Sequence, residues 1–128
     1  IEIRERENRS IKTKASSRVI PLVGEALDGM ELLKSMGLSQ KYCFPRYTKN
    51  DQTNADLAAA AIKKRMSFGS HSYRHLLTTR MHEHQIPEGT QRAILGHTSA
   101  GSGAFDGYGT REMLVAKQRA LTLVMNEL

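Results

Sequence analysis

The stretch SHSYRHLLTTRM, residues 70–81, carries the side chains best suited to chemistry. At about 100° per residue, His71, Arg74, His75 and Thr78 fall within one arc of a helix, while Tyr73, Leu76, Leu77 and Met81 fall on the other side. One face is expected to pack and the other to present cations. An arginine held there is a permanent charge whose planar fork matches two phosphate oxygens, so Arg74 suits the stabilisation of a developing phosphorane. The same arc also reads as an ordinary solvated helix face. Arg80 falls on the packing side, where its stem is expected to be buried and its head to escape. His71 and His75 have the i, i+4 spacing of a metal pair, with His82, Glu83 and His84 nearby. Against zinc, no HExxH occurs and the cation Arg74 stands between the two histidines. The site is expected to hold neither metal nor cofactor, and a metal-dependent hydrolase using the histidines is a rival reading.

Two further positions offer chemistry. Lys12 and Lys14 lie in the polar stretch SIKTKASS, where lysine commonly protects a hairpin edge. The functional alternative is a mobile ammonium delivered to a phosphate or to a leaving oxygen. Tyr108 lies between Gly107 and Gly109 in ILGHTSAGSGAFDGYGT, a segment with half the glycines of the chain. A phenol of pKa about 10 is a poor nucleophile at neutral pH unless cations or a base help remove its proton. The plain alternative is a loop aromatic packing on the body, like Tyr42, Tyr47 or Tyr73.

The elements that must position these residues can be read along the chain. Residues 1–9 alternate isoleucine with charge and RVIPL, residues 18–22, is β-branched, which predicts a hairpin joined by the lysine-bearing turn. Residues 23–36 place apolar side chains at helical spacing, with Gly37 as a stop. Residues 41–53 read as loop with a short strand at 42–44, which Pro45 keeps from running longer. Asn54 is expected to cap a helix over residues 55–66, whose last turn holds Lys63, Lys64 and Arg65. Ser70 opens a helix to about residue 85, Pro87 starts a short one ending near Gly96, and Thr110 caps a last helix. That last helix carries Leu114, Leu121, Met125 and Leu128 on one side, a stripe suited either to a neighbouring molecule or to the chain's own core. The expected fold is α+β and mainly α: an N-terminal β-hairpin followed by about five helices.

Composition narrows the partners. The 128 residues carry 19 Lys and Arg against 13 acids, a net charge of +6 and a pI near 9.7. That balance favours an anionic partner, nucleic acid first and a membrane surface second. Cys43 is the only cysteine, so no intramolecular disulfide can form, and no apolar run is long enough to span a bilayer. A soluble, intracellular protein is expected, as one domain over residues 1–128. The opening IEIRERENRS lacks a starting Met and reads like the middle of a strand, so the chain is expected to begin partway into a larger protein.

Taken in order, these pieces resemble one family. A lysine-bearing hairpin ending RVIPL, then SHSYRH, then ILGH, then a glycine-containing loop with a tyrosine and a terminal helix, resembles the catalytic domain of the tyrosine recombinases, or phage integrases. SHSYRHLLTTRM is similar to that family's H-x-x-R helix, IPEGTQRAILGH to its following helix and histidine, and FPRYTKN to phage and genomic-island integrases. The resemblance covers nearly the whole chain. It implies that His71 and Arg74 are the family's histidine and second arginine, His97 its later histidine, Tyr108 the nucleophile and Lys12 the hairpin lysine, with Lys14 the alternate. It further implies a site-specific recombinase acting on duplex DNA as a homo-tetramer, through a covalent 3′-phosphotyrosine and a free 5′-hydroxyl, with no metal or ATP.

Two departures accompany the resemblance. The family has another catalytic arginine, followed by an acid, on a helix before the hairpin, and Arg4, Arg6 and Arg9 in the predicted strand do not fit that role. The chain alone is therefore expected to be weak or inactive, which leaves a non-catalytic DNA-binding module as a further rival. The segment from His97 to Tyr108 is also somewhat longer than the family commonly shows.

Overall fold

The computed structural model describes residues 1–7, 10–11, 16–36, 42–97 and 110–126. Near the start, β1 (Glu2–Ile3) and β2 (Arg18–Val19) pair antiparallel, with Glu2 opposite Val19 and Ile3 opposite Arg18. The Ile20 amide adds one bond to the Ile1 carbonyl at 2.8 Å. The strand ends before the expected residue 22, and the next residue, Pro21, has no N–H to continue a ladder.

The first helix, α1 (Glu25–Ser35), starts from Gly24, whose φ of 51° and ψ of −139° a Cβ would disfavour. Glu25 and Asp28 in its first turn and Lys34 in its last match the helix dipole. The periodic pattern predicts this helix correctly, yet none of its residues is buried, and Leu27, Leu32 and Met36 are exposed. Beyond it the structure differs from the expected loop. Pro45 begins one turn of 3-10 helix (Pro45–Tyr47), and β3 (Thr48–Lys49) and β4 (Gln52–Thr53) form a second hairpin. Asn50 at φ 50° and Asp51 at φ 62° make its two-residue turn, a left-handed pair that asparagine and aspartate tolerate. No strand forms at residues 42–44; instead the Tyr42 hydroxyl donates to Asp51 Oδ1 at 2.9 Å.

Next comes α2 (Ala55–Met66), capped as expected by Asn54, whose Oδ1 accepts the Leu57 amide at 2.9 Å. It too contributes no buried residue. The core belongs to α3 (Ser70–Glu83), α4 (Glu88–Leu95) and α5 (Arg111–Met125), where Met81, Ile94, Leu95, Ala120, Leu121 and Val124 meet. Ile20, Val23, Leu77, Ile86 and Met125 pack against that cluster, so the segment after β2 closes one side of it. Each large aliphatic buried here contributes on the order of 1.5–3 kcal/mol.

Two expectations are refined by this packing. Leu77 and Met81 join the core, but Tyr73 and Leu76 stay exposed, with the Tyr73 ring tilted against Phe68 at 5.2 Å. The apolar contacts of α3 with that core come from Leu77 and Met81, in its C-terminal half. On α5, Leu121 is buried and Leu114 and Met125 are partly buried, so this part of the apolar stripe faces the chain's own core. Leu128 lies outside the described residues. The whole is a mainly helical α+β arrangement with two small antiparallel sheets, and among the described residues no helix is long and apolar enough to cross a membrane.

Candidate anion site at the end of α4

The end of α4 is built by one glycine. Gly96 adopts φ 71°, ψ 40°, the left-handed conformation that stops a helix, and its amide donates to the Arg92 carbonyl at 2.8 Å. The His97 amide reaches the same carbonyl at 3.2 Å. These turns satisfy Arg92 but leave the carbonyls of Ile94 and Leu95 in want of donors, as the last carbonyls of any helix are.

Two arginines supply them. From α3, Arg74 donates through Nη2 to the Leu95 carbonyl at 2.7 Å. From β2, Arg18 donates through Nε to the Ile94 carbonyl at 2.9 Å, and through Nη1 to the Ser16 carbonyl at 2.8 Å. Both cations thus sit at the negative end of the α4 dipole, an interaction worth roughly 0.3–1 kcal/mol for an exposed charge and more where water is thinned. The same Arg74 Nη2 lies 2.5 Å from His97 Nε2. A guanidinium has no acceptor, so the ring nitrogen accepts, and His97 in this arrangement is the neutral tautomer with its proton on Nδ1.

Behind the arginines lies a third cation. Lys117 of α5 is fully buried, and its Nζ donates to the Val19 carbonyl at 2.8 Å. Burial first, and then the charge of Arg18, lower its pKa from the ordinary value. Arg18 is lowered likewise, by burial and then by the charge of Arg74. Among the described residues no carboxylate pairs with any of the three; the ion pairs are Arg4 with Glu2 and Arg92 with Glu88. Among the described residues, Arg74, Arg18 and Lys117 therefore form a positively charged row tied to backbone oxygens and to no counter-ion.

Of the residues singled out by sequence, Arg74 and His97 are brought together, although 23 positions separate them. His71 stays exposed on α3, its ring edge-on to His75 at 4.7 Å between centroids. Among the described residues it has no hydrogen bond to Arg74 or His97, and no group of three or more His, Cys, Asp or Glu could hold a metal ion. Lys12, Lys14 and Tyr108 lie outside the described residues. Arg80 departs from its expected role: its stem is partly buried, but its head caps α5 through Nη1 to the Val124 carbonyl at 3.0 Å.

Arg18 and Lys117 are not among the residues that the sequence singles out. Lys117 stands within the α5 stripe, between Leu114 and Leu121 at helical spacing, and that position alone marks it as core-facing. Arg18 carries no comparable signal, because its partner is a carbonyl 76 positions away. Chemically, the assembled group can attract a monoanion, offer it charge-assisted donors and place a neutral imidazole beside it. Set against known proteins, the chain matches no family model, no curated protein and no solved structure.

Proposed function

We propose that the chain is the C-terminal part of a tyrosine recombinase catalytic domain, which cuts and rejoins duplex DNA through a covalent 3′-phosphotyrosine. The observation that carries this reading is the meeting of Arg74 and His97 at the end of α4, with no carboxylate among the described residues paired to the cation. A phosphodiester gains negative charge as a fifth oxygen approaches phosphorus, and donors already in place are worth most at that moment. In the proposed step the Tyr108 oxygen bonds to phosphorus and the bond to the 5′-oxygen breaks. The phenolic proton passes to a nearby base, and Lys12 donates a proton to the departing oxygen. Attack by a 5′-hydroxyl from a second strand reverses the step. Binding through phosphates also makes the interaction salt-sensitive.

The test is a suicide duplex nicked near the scissile phosphate, offered to the full-length protein. A covalent protein–DNA adduct is expected without added metal, and it is expected to vanish in Tyr108→Phe. An adduct that survives that change overturns the reading. Cleavage that leaves no adduct and is lost on adding EDTA favours a metal-dependent hydrolase, and binding with neither cleavage nor adduct favours a non-catalytic DNA-binding module.

A further inference from the structure

We infer that Arg18 is a second anion-contacting arginine of this site, holding one phosphoryl group jointly with Arg74. The two guanidinium groups hang from consecutive carbonyls, Ile94 and Leu95, so a single helix end fixes both. Among the described residues each keeps N–H donors beyond those bonds: Arg18 uses Nε and Nη1 on the protein, and Arg74 uses Nη2. Arg18 is only partly buried.

The charge pattern points the same way. Two guanidinium groups close enough for one to depress the other repel, and the buried Lys117 ammonium behind Arg18 adds to that repulsion. A chain selected for stability alone would be expected to place an acid among them or to replace one with an apolar residue. Among the described residues the cations instead take backbone carbonyls, which anchor them and, even at a helix end worth about half a negative charge, offset only part of their combined charge. What completes such a row is an external anion with at least two oxygens. A phosphodiester or phosphate offers one oxygen to each arginine, in the geometry that a guanidinium fork favours.

This inference rests on the functional reading only in taking the anion to be a phosphate. Inorganic phosphate is therefore the probe, titrated against chloride at matched ionic strength. The Nε–Hε resonances of Arg18 and Arg74 are followed in the wild-type protein, which requires no variant to fold. Both are expected to shift along one curve with a single apparent affinity, and Arg18→Gln is expected to weaken that affinity about tenfold, as loss of a charge-assisted contact does. Movement of Arg74 with Arg18 still would reduce Arg18 to a tether and overturn the inference, as would the absence of any shift. Tyr108→Phe is expected to leave the phosphate titration unchanged. An intact titration with no DNA adduct in the wild type therefore sinks the recombinase reading alone, whereas an adduct without an Arg18 response sinks this inference alone.

Discussion

His97 accepts from Arg74 across the end of α4, Nε2 to Nη2 at 2.5 Å, and the same Nη2 is held by the Leu95 carbonyl. One arginine nitrogen thus links the helix that carries it, the end of the next helix and the imidazole beyond. Substitution of Arg74 by lysine keeps the charge but gives up the planar fork. Arg74→Lys is expected to lower the rate of DNA adduct formation at least about 100-fold, while DNA affinity changes little. Adduct kinetics and salt-dependent binding measured on the same variant check this; unimpaired cleavage would remove Arg74 from the chemistry.

The Arg74 contact also fixes the tautomer of His97. The ring 15N shifts of His97 in its neutral form are expected to show the proton on Nδ1, and Arg74→Ala is expected to relax that preference toward the usual mixture. A His97 ring protonated on Nε2 in the wild type would contradict the hydrogen bond.

Lys117 makes a pH prediction whose sign follows from its lowered pKa. Below the lowered value, folded and unfolded chains both hold the proton, and the cost of the buried charge is constant. Between that value and the ordinary 10.5, the unfolded chain keeps a proton that the folded chain has lost, so stability from this group rises with pH. The difference in unfolding free energy between wild type and Lys117→Met is therefore expected to move in favour of the wild type across that alkaline window. Parallel pH–stability curves for the two proteins would count against it.

At Gly96 the left-handed backbone carries its own prediction. Gly96→Ala is expected to cost about 1 kcal/mol, read as a fall of about 4 °C in Tm. Because the same residue sets where His97 leaves the helix, the variant is also expected to weaken the Arg74–His97 contact, visible as a change in the His97 ring shifts. A Tm equal to that of wild type would mean that the helix end tolerates a Cβ.

Local signals in the sequence were sufficient where the physics is local. Asn54 and Thr110 were legible as caps because a side-chain oxygen serves amides three residues on, and the structure has both bonds, to Leu57 and to Met113. Arg74 was legible because its arc on α3 needs only the helical period. The hairpin around Asn50 and Asp51 was not, since its strands are two residues each and the usual glycine is absent from the turn. Periodicity assigns Tyr73 and Leu76 to the packing face because it names a face without saying how far along the helix a neighbour extends. Arg18 and Lys117 act through carbonyls of distant elements, and no periodicity encodes such a pairing.

Among the described residues the buried ones all lie in α3, α4 and α5, which implies an order of opening. Amides in the second half of α3 and in α4 and α5 are expected to exchange with solvent only through near-global unfolding, while those of α1 and α2 exchange through cheaper local excursions. Arg74 and His97 ride on or beside the slow unit, whereas Arg18 belongs to a ladder of two residue pairs. The row of cations therefore joins parts that breathe at different rates, and an anion seated across it would act as a staple, slowing exchange at the β1–β2 hairpin more than anywhere in the core.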